Sequence, residues 1–176
     1  MRHASAGPGD GQDHARELTE RGRHEADLVG RWLASIDWAP DRVLCSSARR
    51  CCETWQALSA GLEGAAPIQF KDALYNAPPV ILLDALSDSS AATSIAGEAK
   101  NEIVLLIAHN PGISQLAFDL AAKASTSARL RSGFAPAALA CFELSCPWPL
   151  LSPGAARLIH VQKPADLAPL PSKKSR

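Results

Sequence analysis

Apolar and polar positions along the chain switch repeatedly between helical and strand periodicity. Ala26, Val29, Trp32, Leu33 and Ile36 recur at three- and four-residue intervals and predict a helix with one buried face. Thr19 precedes it as a candidate N-cap, since a hydroxyl there can accept from a free N–H of the first turn. After Pro40, the run RVLC at 42–45 is short, apolar and bounded by polar residues, the pattern of a buried strand. Cys51, Trp55, Leu58 and Leu62 share the face of a second helix that Gly61 and Gly64 close, and PIQF at 67–70 predicts another strand. A helix follows over 78–86, then a Ser- and Ala-rich loop or weak helix at 87–97.

The run EIVLLIA at 102–108 is continuously apolar, as in a strand covered by helices on both faces. It stops at HNPG. Beyond that, Ile113, Leu116, Ala117, Leu120 and Ala121 mark the clearest helix in the chain. ALACFEL at 138–144 and ARLIHV at 156–161 predict two late strands around a connection containing Trp and Pro. Strands alternating with helices imply one α/β domain with a mainly parallel sheet flanked by helices. In such sheets the ligand crevice lies beyond the carboxyl ends of the strands. The domain is expected over 1–163. The Pro-, Lys- and Ser-containing segment 164–176 is expected to be a flexible tail.

Composition narrows the classes. A length of 176 residues suits one domain, and 47% hydrophobic against 20% charged residues suits a soluble protein with a buried core. Eighteen basic and eighteen acidic residues cancel, which argues against nucleic acid or an anionic membrane as a partner, so any anion site is local. No apolar run approaches the roughly 20 residues of a membrane span, and the start MRHASAGPGD has no hydrophobic signal region, so a cytoplasmic location is expected. Five cysteines, with Cys51 and Cys52 adjacent, read as reduced thiols. No C-x-x-C or closely spaced Cys and His pair suggests a metal, and no cofactor is expected.

The unusual polar groups stand at two predicted strand ends. RVLC runs into SSARRCCET, where a helix N-terminus and Arg49 or Arg50 suit an anion; EIVLLIA runs into His109. Individually these groups read more readily as a solvated helix face and a capping histidine. The chain start adds RHASA and then DHARELTERG. That ordered set, Arg2-His3, SSARRCCET and HNPG, resembles the histidine phosphatase superfamily and specifically its SixA-type phosphohistidine phosphatase branch.

The resemblance implies a phosphoglycerate mutase-like fold with His3 as nucleophile and Arg2, Arg50 and His109 completing a phosphate pocket. The choice of Arg50 over Arg49 comes from the family pattern, because spacing does not make it. The chemistry is coherent: an imidazole nitrogen can attack phosphorus and hold the phosphoryl group, while arginines neutralise charge on its oxygens. A protonated His109 would add a donor. Asn110 and Gly112, which open the next helix, could add N–H groups. Asp72, ahead of LYNA, is the candidate general acid, though the SixA-type branch manages with little such help because imidazole leaves more readily than an alkoxide.

The implied activity is hydrolysis through a phosphohistidine intermediate on His3, with phosphohistidine in a protein as substrate. A phosphatase of small phosphate esters is one alternative. A non-catalytic phosphate-binding module is the other, because the family normally places an apolar strand directly before the Arg-His pair and here that strand is apparently lacking. The expected consequences are an open groove in the sheet, a loosely held His3, weak turnover, and an α-amino group near the pocket. A thiol-based phosphatase fails because Cys45 stands too close in sequence to Arg49 and Arg50.

Overall fold

In a computed structural model describing residues 1–9, 11–62, 66–88, 102–122, 128–131 and 133–167, the first predicted helix runs over Glu20–Ser35 (α1). It starts where its cap predicts: Thr19 is extended, and its hydroxyl accepts from the Gly22 N–H at 3.0 Å. The chain continues through β1 (Arg42–Ser46), α2 (Arg49–Ser59), β2 (Ile68–Lys71) and α3 (Pro79–Asp88). Then follow β3 (Val104–Ile107), α4 (Gly112–Leu120), α5 (Ala128–Arg131), β4 (Leu139–Leu144) and β5 (Ala156–Gln162). Of the loop or weak helix expected at 87–97, Ser87 and Asp88 continue α3, while 89–97 and the helix-closing Gly64 lie outside the described residues.

β1 is the middle of a parallel three-stranded sheet in the order β2-β1-β3, with Val43 opposite both Ile68 and Leu105. Side chains alternate across it, as period-two geometry requires. Val43, Cys45, Leu105 and Ile107 pack with α1 and α2 in one buried cluster. Leu44 and Leu106 point the other way, into a cluster with Leu82 of α3 and Ile113 and Leu116 of α4. Helices on both faces explain why β1 and β3 read as unbroken apolar runs. β4 and β5 pair antiparallel, since their connection at 145–155 is too short for a helical crossover.

At the site end of the sheet the expected open groove is closed. Residues 1–3 occupy the slot between β3 and β4: Arg2 bridges Ala108 in parallel, the His3 N–H donates to the Ala108 carbonyl at 3.1 Å, and the Arg2 N–H donates to the Ala138 carbonyl at 3.0 Å. The Ala137 N–H donates to the His3 carbonyl at 3.0 Å. His3 is therefore held by backbone bonds on both sides, which corrects the expectation of a loose nucleophile. The Met1 nitrogen donates to the Leu106 carbonyl at 2.8 Å and does not line the pocket, so it adds no charge there.

Two glycines let backbones close in around the site. A Cβ at Gly22 would lie 2.0 Å from the Ser5 carbonyl oxygen, and one at Gly112 would lie 2.0 Å from that of Ala77. Downstream, Pro164 is buried and Leu167 packs against the α1 side of the core. Residues 168–176 of the expected tail lie outside the described residues. Among the described residues no helix is long and apolar enough to cross a membrane.

Candidate active site

The carboxyl ends of β1 and β3 and the residues 2–4 beside β3 converge on one cavity of about 410 Å³. Its lining includes Arg2, His3, Asp13, Arg16, Arg50 and His109. Each side chain is placed by a backbone tie. The Ala4 N–H donates to the Thr54 hydroxyl at 3.0 Å, and that hydroxyl donates to the Arg50 carbonyl at 2.6 Å, fastening the His3 segment to the first turns of α2. The Ser5 N–H and hydroxyl both donate to the buried Glu25 carboxylate of α1, at 3.2 and 2.7 Å.

The His3 ring lies 2.8 Å, through Nδ1, from the Ala4 carbonyl. A carbonyl can only accept, so Nδ1 carries the proton and the lone pair is on Nε2. Nε2 faces the pocket and accepts from the Arg50 Nε–H at 3.3 Å. Burial, with the Arg50, Arg2 and Arg16 charges against the opposing pull of the Ala4 carbonyl, lowers the His3 pKa to about 4. The ring is neutral and nucleophilic at neutral pH.

Arg50 is almost wholly buried and Arg49 is not. Arg49 pairs with Glu17 and Glu53 on the surface, each at 2.8 Å. The Arg50 guanidinium spans the site, donating to the Asp13 carbonyl at 2.6 Å, the Asp13 carboxylate at 3.0 Å and His109 Nδ1 at 3.1 Å. Arg2 donates one Nη to the Phe134 carbonyl at 2.8 Å, while its Nε is buried without a protein partner. A buried unpaired guanidinium N–H is costly.

His109 lines the cavity too. Its Nδ1 accepts from Arg50, and its Nε2 is 2.8 Å from the buried Ser46 hydroxyl. Burial and then the Arg50 charge lower its pKa to about 3. It is thus a neutral ring that accepts from Arg50, and the donor that a protonated His109 would add is not supplied in this state. Asn110 lines the cavity, but its amide is committed to the Phe134 carbonyl at 2.9 Å and to the Ser114 hydroxyl. Gly112 does not line it.

Asp72 is not brought to the cavity. It is exposed in a 3-10 turn, where its carbonyl accepts from the Tyr75 N–H at 2.9 Å. The carboxylate in the lining is Asp13, which sequence reasoning missed. Asp13 bonds the Tyr75 hydroxyl at 2.5 Å, Arg16 at 3.1 Å and Arg50 at 3.0 Å. The Tyr75 hydroxyl first, then Arg16 and Arg50, hold its carboxyl well below the usual range. The three-residue spacing of Asp13 and Arg16 in DHARELTERG was the available signal, because one turn brings such a pair together. No group of three or more His, Cys, Asp or Glu among the described residues could hold a metal ion.

The two neutral histidines couple stability to pH. Between the ordinary histidine pKa of 6.5 and their folded values of about 4 and about 3, the unfolded chain binds protons that the folded one does not. Their contribution is complete above 6.5 and is lost as pH falls towards 4. Thermal melts should show Tm dropping between pH 7 and pH 5, with a shallower drop in His3→Gln. An unchanged slope in that variant would contradict the assignment of a neutral buried ring.

Residues 2–77 match the sequence profile of the histidine phosphatase superfamily, branch 1. An uncharacterized protein of Mycobacterium tuberculosis is 32% identical over 169 residues, covering 93% of this chain and 99% of its own. Among solved structures, an Agrobacterium tumefaciens protein assigned as the phosphohistidine phosphatase SixA is 30% identical with a TM-score of 0.71, covering 92% of this chain and 94% of the other. A Nakamurella multipartitia protein with the same assignment is 28% identical with a TM-score of 0.78, covering 93% of each chain.

Proposed function

This chain belongs to the histidine phosphatase superfamily, and from that premise we propose that it hydrolyses phosphohistidine in a protein through a phosphoryl intermediate on His3. The observation that carries the reading is the 2.8 Å contact of His3 Nδ1 with the Ala4 carbonyl, which leaves an unprotonated Nε2 in a cavity lined by Arg2, Arg16 and Arg50. Phosphoryl oxygens entering the cavity take the donors of Arg2 and Arg50, which stabilise the charge that spreads over them in a loose transition state. Nε2 forms the new N–P bond as the substrate P–N bond breaks. The Nδ1–H stays on the Ala4 carbonyl, so the intermediate is an N-phosphoimidazolium. Water then attacks phosphorus, the N–P electron pair returns to Nε2, and phosphate leaves.

The proposed substrate class is supported by the chemistry of the one carboxylate among the described lining residues. That carboxylate, Asp13, is held ionised and cannot protonate a leaving alkoxide. Imidazole needs no such help. Specificity constants for a histidine-phosphorylated protein, an aryl phosphate and a sugar phosphate should fall in that order, and Asp72→Asn should change none of them by more than about twofold, as for an ordinary surface site. A dominant sugar phosphate would make this a small-molecule phosphatase.

A further inference from the structure

We propose that the Asp13 carboxylate selects the imidazolium form of the substrate's phosphohistidine, so that fixed charge at the pocket mouth takes the place of a proton donor. The inference rests on the phosphohistidine reading above and assigns a specificity-determining residue within it.

Its exposure puts this charge on the solvent side of the pocket, the side on which a protein-borne leaving group lies. In-line attack requires the departing atom to lie across phosphorus from His3 Nε2. His3, Arg50 and His109 form the deep wall, whereas the Asp13 side chain is 48% exposed at the rim. It is the one carboxylate among the described lining residues. It is also anchored: the Tyr75 hydroxyl and Arg16 hold it independently of Arg50. When phosphoryl oxygens claim the Arg50 guanidinium, the carboxylate remains at the rim, held by those two partners.

Phosphohistidine carries its own proton. With the distal ring nitrogen protonated, cleavage of the P–N bond sends the electron pair to the proximal nitrogen, and neutral imidazole departs with the distal N–H intact. No proton moves during the step. An anion beside the ring stabilises that cation and raises the pH up to which it persists. For an aryl phosphate the sign reverses, because the leaving oxygen gathers negative charge next to a carboxylate. The groups facing Asp13 are Arg16 and His14 from its own segment, Arg50 from α2, Tyr75 after β2 and His109 after β3. Of these, His14 is exposed and is bonded to the Ser47 hydroxyl at 3.1 Å.

The test is Asp13→Asn in the full chain, which keeps the size and a hydrogen-bonding group for Tyr75 and Arg16. Steady-state kinetics would use a histidine-phosphorylated peptide and p-nitrophenyl phosphate over a pH series, with vanadate binding measured alongside. Expected is a loss of about tenfold in kcat/KM on the phosphopeptide at neutral pH. The alkaline limb of its pH profile should move down by about one unit, the scale set by one nearby charge. The aryl phosphate should be turned over severalfold faster. Parallel losses on both substrates with an unmoved alkaline limb and weakened vanadate binding would overturn the proposal and leave Asp13 as a positioning residue for Arg50. A wild-type protein that turns over p-nitrophenyl phosphate but not the phosphopeptide would overturn the phosphohistidine reading itself, and this proposal with it.

Discussion

Replacing His3 with Ala is expected to lower turnover by at least about 10⁴-fold, the scale on which removal of a covalent nucleophile acts. The backbone bonds to Ala108 and Ala137 that hold residue 3 do not use the ring, so the variant should fold and keep its place beside β3. Wild-type protein quenched during turnover should carry a phosphoryl group that survives alkali and is lost in acid, and peptide mapping should place it on His3. Ring nitrogen chemistry gives that signature, whereas a phosphoserine on the neighbouring Ser5 or Ser46 would be acid-stable. An active His3→Ala protein would defeat the covalent mechanism on His3; the other described ring in the lining, His109, has its Nδ1 3.1 Å from Arg50 and its Nε2 2.8 Å from the Ser46 hydroxyl.

The second large effect separates two adjacent arginines. Arg50→Ala removes a buried fork that reaches His3, Asp13 and His109 together, and with it the two charge-assisted contacts that the proposed mechanism expects it to make to a phosphoryl group. At roughly 1.5 to 3 kcal/mol for each such contact, phosphate or vanadate affinity should fall by roughly 10²- to 10⁴-fold. Arg50→Lys should recover only part of this, because a single ammonium cannot reproduce the fork. Arg49→Ala, which breaks exposed pairs with Glu17 and Glu53, should cost less than about 1 kcal/mol of stability and leave anion binding intact. Isothermal titration of vanadate into the three variants decides the matter, and equal losses at positions 49 and 50 would undo the assignment.

Much of the fold was legible because its signals are local. The apolar spacing around Val29, the cap at Thr19, and the unbroken runs of β1 and β3 each depend on a few neighbouring residues and on helices or strands that bury one face or two. The placement of candidate chemistry at strand ends was legible too, since parallel strands open their carboxyl ends to a common crevice. Arg50 was chosen over Arg49 through family likeness; the structure supplies a physical counterpart, with one guanidinium buried across the site and the other in surface pairs.

What the sequence determined by itself was therefore the alternation of elements and the segments that meet at the crevice. Tertiary structure decided the rest. Only packing shows that residues 1–3 fill the slot beside β3, because ladder bonds join residues more than a hundred positions apart. Only packing makes Asp13 rather than Asp72 the pocket carboxylate, since that depends on where Tyr75 and Arg50 lie relative to a turn far away in the chain. The protonation of His3 and His109 is of the same kind. Desolvation and the field of Arg50 exist only once distant segments have closed around both rings, so no reading of residue types along the chain contains them.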